Sequence, residues 1–322
     1  MSDVILFGEP MVMFVAETEG PLDEVENFTK LLAGADVNVA IGLKRLGHSV
    51  TYATRLGRDP FGTYIEKKLR KEQIHTQITY DAEHFTGYQL KNKVSEGDPE
   101  VFYFRRNSAA SHLSEADVEA IPLDGVRVLH MTGIPAALSG SCRNASYRLI
   151  ERARERGICV TFDPNLRPTL WESRHAMIRT VNHLASMADI VLPGTAEGEI
   201  LMGSSDPAEI AAFYRGRGAR MVFVKEGPKG AYADTPEGCT HIAGIPAEQV
   251  VDTVGAGDGF AVGIISGWLE HLPVAQMVER ANAIGSIQVT VKSDNEGLPT
   301  REELAAYIAK RGGGHDEAAS SH

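Results

Sequence analysis

Asp252-Thr253-Val254-Gly255-Ala256-Gly257-Asp258-Gly259-Phe260-Ala261 is a glycine-rich turn that runs into a helix, because Val262-Gly263-Ile264-Ile265-Ser266-Gly267-Trp268-Leu269 follows with small and apolar residues at helical spacing. The first amides of a helix lack intrahelical partners, and together with the helix dipole they form an anion site. Gly255 and Gly257 let the backbone approach a phosphate closely. Asp258 would repel that phosphate unless it had a task there. The task that fits is accepting the proton of an attacking hydroxyl. The plainer reading is an aspartate capping a helix after a glycine turn. The turn lacks the Lys-Ser/Thr pair of a P-loop, and it comes too late in the chain for a dinucleotide fingerprint.

Outward from that helix, short apolar runs alternate with amphipathic helical patterns. Runs at 4–7, 50–54, 126–131, 159–162, 190–192 and 221–224 predict strands, and 36–46, 61–72, 141–156, 174–187 and 207–216 predict helices between them. This α/β alternation implies a mostly parallel sheet with helices on both faces, whose ligands bind beyond the carboxyl ends of the strands. Two stretches break the pattern. Residues 11–16 follow the first strand directly, and 87–94 and 101–105 are joined by the turn-rich Ser95-Glu96-Gly97-Asp98-Pro99-Glu100. They predict antiparallel strands outside the main sheet, a small β-lid (11–16 and 87–105) on one domain spanning residues 1–311. The Gly/Ser/Ala-rich residues 312–322 are expected to be a disordered tail.

A net charge of -11 with no basic block argues against nucleic-acid or anionic-membrane partners. No apolar run approaches a transmembrane length. Cys142, Cys159 and Cys239 are odd in number and far apart, which suits a reducing cytoplasm. The 11 histidines show no HxH or HExxH spacing.

On these residues the chain resembles the PfkB (ribokinase-like) carbohydrate kinases. Asp252 to Asp258 is similar to the family's Asp-Thr-x-Gly-Ala-Gly-Asp signature. Ala33-Gly34-Ala35-Asp36-Val37-Asn38-Val39-Ala40, continuing to Leu43-Lys44-Arg45-Leu46-Gly47, resembles the N-terminal signature, and Gly57-Arg58-Asp59-Pro60-Phe61-Gly62 the segment after it. The resemblance implies a ribokinase-like three-layer sandwich, ATP with Mg²⁺, and a homo-oligomer assembled through the lid. It implies that Asp258 deprotonates the sugar hydroxyl and that the amides of Gly255, Ala256 and Gly257 stabilise the phosphoryl group in transfer. Gly34, Asp36 and Asn38 would bind the sugar, under a lid that excludes water. Val224-Lys225-Glu226-Gly227-Pro228-Lys229-Gly230 resembles the nucleotide turn, which assigns Lys225, Gly227 and Gly230 to ATP. Asn282 resembles the residue lying against adenine. Glu197 is similar to the acid that orders water around Mg²⁺, with Gly194 where the family has asparagine. Asp252 resembles a position beside a monovalent cation, K⁺.

Within the family, Tyr103-Phe104-Arg105-Arg106, Asp163-Pro164-Asn165-Leu166-Arg167 and Lys292-Ser293-Asp294-Asn295-Glu296-Gly297 are similar to segments of the 2-keto-3-deoxygluconate kinases. They imply that Tyr103, Arg105, Arg167 and Asp294 meet the acceptor and that Asn165 sits with the cofactor. Gln89 takes a lid position that is often Tyr in that group. Independently of the resemblance, Tyr103 and Arg105 alternate on one strand and share a face. A guanidinium there is a natural partner for a carboxylate. Arg167 follows a strand end and serves either an acceptor carboxylate or an ATP phosphate. The expected activity is ATP-dependent phosphorylation of a small sugar acid, 2-keto-3-deoxygluconate, to its 6-phosphate. A kinase for a neutral ketose, ribose or a nucleoside, and a non-catalytic sugar-binding regulator, are the alternatives.

Overall fold

Every residue of Val4-Ile5-Leu6-Phe7 is buried, as a central strand covered on both faces requires. The computed structural model describes residues 2–94, 99–291 and 293–312. Its strands, in chain order, are β1 (Val4–Phe7), β2 (Met11–Glu19), β3 (Phe28–Ala33), β4 (Val50–Gly57), β5 (His75–Asp81), β6 (Tyr88–Lys93), β7 (Val101–Phe104), β8 (Val128–Thr132), β9 (Cys159–Asp163), β10 (Ile190–Val191), β11 (Met221–Lys225), β12 (Gly230–Thr235) and β13 (Gly238–Ala243).

The main sheet has the order β13-β12-β11-β10-β9-β8-β1-β4-β5. Its strands from β5 to β11 are parallel, and β12 and β13 return antiparallel at one edge. Val4 and Leu6 pack into one apolar core and Ile5 and Phe7 into the other. The pleat of one strand thus serves both helical layers, the three-layer arrangement expected from the alternation. From β1 the chain winds outward to β4 and β5, then returns to β8 on β1's other side. That reversal leaves a crevice at the carboxyl ends of β1, β8, β9 and β11.

The second sheet, β3-β2-β6-β7, is the lid. β3 and β7 are antiparallel to their neighbours, but β2 and β6 run parallel, which corrects the expectation of antiparallel strands throughout. Both strands leave the body at the same end, where Val12 N donates to the Gly87 carbonyl at 3.2 Å. The periodicity also missed β3, β5, β12 and β13. β5 and β13 are edge strands with no run of buried apolar residues, so they carry no apolar run to detect. The lid connector 95–98, Lys292 and residues 313–322 lie outside the described residues. The last helix, Arg301–Gly312, extends one residue into the segment read as tail. Among the described residues no helix is long and apolar enough to cross a membrane.

Candidate active site

Gly255 caps the helix Ala256–Leu269 with φ 83, and a Cβ there would lie 2.7 Å from the Asp294 carbonyl oxygen. Both the backbone conformation and the close approach therefore call for glycine. Asp258 stands buried in the first turn. Its two oxygens are held from opposite sides. Asn38 Nδ2 donates to Oδ2 at 2.8 Å, and Asn165 Nδ2 donates to Oδ1 at 3.3 Å. Asn38 is itself oriented by Asn295, whose Nδ2 donates to Asn38 Oδ1 at 3.0 Å. Burial pushes Asp258 up to about 7, against the Asn38 hydrogen bond, with Asp163 and Asp294 adding to the rise. A carboxyl group tuned near neutrality suits general-base work. Only its ionised form accepts a proton, so kcat/KM for the acceptor should fall as pH drops through about 7. A pH–rate profile checks this, and an acid limb near the ordinary aspartate range of about 4 would contradict it.

Asp258 belongs to the wall of a cavity of about 400 Å³ beneath the lid. Gly34, Asp36 and Asn38 enter it at the start of the helix Ala35–Arg45. Gln89 and Tyr103, opposite each other in the β6–β7 register, face it from the lid. Asn165 and Arg167 reach it from beyond β9, and Asp294 from the late loop. A second cavity of about 420 Å³ is walled by Ile245, Pro246, Val250, Phe260 and Val289. Gly227, Gly230, Ala256 and Asn282 face this apolar space. Asn282 Nδ2 holds the Ile242 and Ala243 carbonyls at 3.4 and 3.0 Å, so it anchors the cavity wall at the end of β13. Lys225, Thr253 and Gly257 face both cavities. The glycine turn is thus the junction across which a group could pass. A groove of about 640 Å³ beside Tyr307 and Lys310 contains neither the turn nor Asp258.

The charges at the junction are paired. Lys225 Nζ meets Asp163 Oδ2 at 2.6 Å. Burial opposes its charge, but Asp163 and Glu197 hold its pKa above the usual lysine value. Glu197 accepts from Leu166 N at 3.0 Å and Gly194 N at 2.8 Å, and burial raises its pKa. It is both the first-turn acid of the helix Thr195–Met202 and part of the cavity wall. Asp36 is pushed up to about 8 by burial. Thr132 Oγ1 donates to its Oδ2 at 3.2 Å, while its Oδ1 is buried with no partner among the described residues. Asp294 is pushed up to about 6 by burial, against the pull of Lys91. Beside Asp252, where the resemblance implied a monovalent cation, Lys91 Nζ lies 2.5 Å from Oδ2.

Against this geometry, residues 1–301 match the model of the pfkB family carbohydrate kinases. The chain belongs to this family. The kinase is 46% identical over 309 residues to the 2-dehydro-3-deoxygluconokinase of Bacillus subtilis, covering 95% of each chain. It is 30% identical over 314 residues to the 5-dehydro-2-deoxygluconokinase of Shouchella clausii, covering 96% of each. A crystal structure of a PfkB protein from Polaromonas sp. JS666 superposes with a TM-score of 0.87 at 45% identity, covering 95% of this chain and all of that one.

Two residues of the kinase carry contacts that the sequence did not suggest. Asn165 lies against Asp258 in the lid cavity and does not line the apolar one. It does so because its backbone turns through φ 39 while its amide caps Asp163 at 3.0 Å. Arg105 reaches the lid cavity, but its Nε donates to Glu9 Oε2 at 2.6 Å, and Glu9 is fully buried. Ser108 Oγ donates to the other oxygen of Glu9. Arg167, by contrast, donates only to the Leu166 carbonyl, at 2.8 Å, and pairs with no carboxylate among the described residues. Sequence reasoning overlooked Glu9, Lys91, Asp163 and Asn295 as site residues. Glu9 and Asp163 had a signal, since each is an acid at the carboxyl end of an apolar central strand. Lys91 and Asn295 had none, because lysine on a strand and asparagine in a loop are ordinarily solvated.

Proposed function

We propose that this kinase transfers the γ-phosphoryl group of ATP to the terminal hydroxyl of a sugar acid, with 2-dehydro-3-deoxygluconate as the acceptor. The observation that carries the reading is the doubly held Asp258 in one cavity wall with Arg167, a guanidinium with no carboxylate at ion-pair distance among the described residues. The name of the Bacillus subtilis relative supports the same acceptor. Asp258 takes the hydroxyl proton as the oxygen attacks phosphorus, and the bond to the ADP oxygen breaks. The first-turn amides and Lys225 meet the charge on the phosphoryl oxygens. Asp36, whose carboxyl burial pushes up to about 8, offers its unpartnered Oδ1 to an acceptor hydroxyl. Gln89 and Tyr103 close the cavity from above and keep water from competing as acceptor.

Among the described residues no three His, Cys, Asp or Glu side chains are grouped to hold a metal ion. That donor set fits Mg²⁺ carried by the nucleotide's phosphates and water, with Glu197 as an outer partner. Bound Mg²⁺ supplies charge neutralisation of the phosphates. A monovalent cation beside Asp252, such as K⁺, would share that carboxylate with Lys91, which already pairs with it.

The test is an ATP-coupled assay over keto-deoxy acids, neutral ketoses, ribose and nucleosides, with Arg167→Ala beside the wild type. Losing a charged hydrogen bond costs about 1.5–3 kcal/mol, so kcat/KM for the acid should fall about 10- to 150-fold. A neutral ketose should lose far less. Equal losses for both would move Arg167 to the nucleotide phosphates and favour the neutral-sugar reading. The assembly proposed is a homo-oligomer through the lid, because edge strand β7 leaves Phe102 and Phe104 exposed at 49% and 42%. The three free cysteines support a reducing cytoplasm as its compartment.

A further inference from the structure

A lysine buried in a lid is costly unless its ammonium is matched, and Lys91 is matched twice. Its Nζ lies 2.5 Å from Asp252 Oδ2 and 3.8 Å from Asp294 Oδ1, with the three side chains only 4–7% exposed. Both carboxylates belong to the body and Lys91 to lid strand β6. Both also belong to the loops that shape the catalytic turn. Asp252 Oδ1 accepts from Val254 N at 3.0 Å, which bends the backbone into Gly255. The Asp294 carbonyl packs against Gly255 itself, 2.7 Å from where a Cβ would stand. Without a cation between them, two buried carboxylates would repel each other and loosen both loops.

We propose that Lys91 is a positioning residue that ties the lid to the body and holds the anion-binding turn in its working shape by neutralising Asp252 and Asp294. The inference rests on the kinase reading of the site but not on which sugar is the acceptor. Among the described residues Lys91 ion-pairs with these two carboxylates and does not line the apolar cavity, so its loss should appear in kcat rather than in the KM for ATP.

Lys91→Ala in the full chain tests it, assayed with whichever panel sugar the wild type phosphorylates. Ammonium and tetramethylammonium chloride are compared at equal ionic strength. A misplaced turn costs about a hundredfold in rate, so kcat should drop by about that factor. Ammonium, small enough to enter the vacated space, should restore much of it. Tetramethylammonium should not, and the wild type should respond to neither. A purely structural lysine would lower the melting temperature without a rescue that depends on cation size. Full kcat in Lys91→Ala, or no rescue by ammonium, overturns the proposal. Should the alanine variant fail to fold, Lys91→Met keeps the apolar stem and loses only the charge. Its kcat should also drop while the KM for ATP holds, and an unchanged kcat overturns the proposal. A wild type inactive on every acceptor overturns the kinase reading and this inference with it. An active wild type with an unaffected variant overturns this inference alone.

Discussion

Asp258→Asn is expected to lower kcat by about 10²–10⁴-fold, the range a general base contributes, while ATP still binds. The amide keeps the size of the carboxyl group but has no basic oxygen to receive the acceptor proton. The apolar cavity that would take the nucleotide is not lined by Asp258, so its shape is untouched. Steady-state turnover paired with a direct ATP-binding titration separates the two effects. Turnover near the wild-type rate would remove Asp258 from the base role. Loss of both turnover and nucleotide binding would mean that the whole turn had collapsed. The acid limb of the wild-type pH profile, expected near 7, should be missing from whatever residual rate the variant retains.

Arg105→Ala is expected to destabilise the fold by about 3–5 kcal/mol, because it strands a buried carboxylate. Glu9 is fully buried, and its two oxygens are committed to Arg105 and Ser108. Deleting the guanidinium leaves that charge without compensation at the base of the lid. The double variant Glu9→Ala/Arg105→Ala removes both charges and should recover part of the loss. Urea unfolding of the two singles and the double measures the coupling. Simple additivity would mean that the pair does not act as a unit. The same experiment guards the specificity argument. An acceptor defect in Arg105→Ala alone would be hard to read as a lost carboxylate contact, whereas Arg167→Ala breaks no ion pair among the described residues, and because Arg167 also lowers the pKa of Asp258, the ligand contact is read from the loss for the acid relative to the neutral ketose.

The glycine turn before Asp258 and the strand–helix alternation were legible because their meaning is local, and the N-terminal Gly34-Ala35-Asp36-Val37-Asn38 segment because it resembles a family signature. A glycine run opening a helix offers free amides wherever it occurs, and an apolar tetrapeptide such as residues 4–7 demands burial on both faces. The parallel pairing of β2 with β6 was not legible, since strand direction depends on where each strand leaves the body. The edge strands β5 and β13 were not legible either, since exposed strands need no apolar run.

The class of reaction could thus be read from short motifs and the family they resemble. Which charges are free to meet a ligand could not. Arg105 and Glu9 are 96 residues apart, Lys91 and Asp252 are 161 apart, and Asn38 and Asp258 are 220 apart. A local motif places a functional group on its own segment. Whether that group stays available depends on opposite charges arriving from distant segments, and in a buried site such charges are drawn together within hydrogen-bonding distance. Folding therefore assigned Arg105 to Glu9 and Lys91 to Asp252, and left Arg167 in the cavity wall with no carboxylate at ion-pair distance among the described residues.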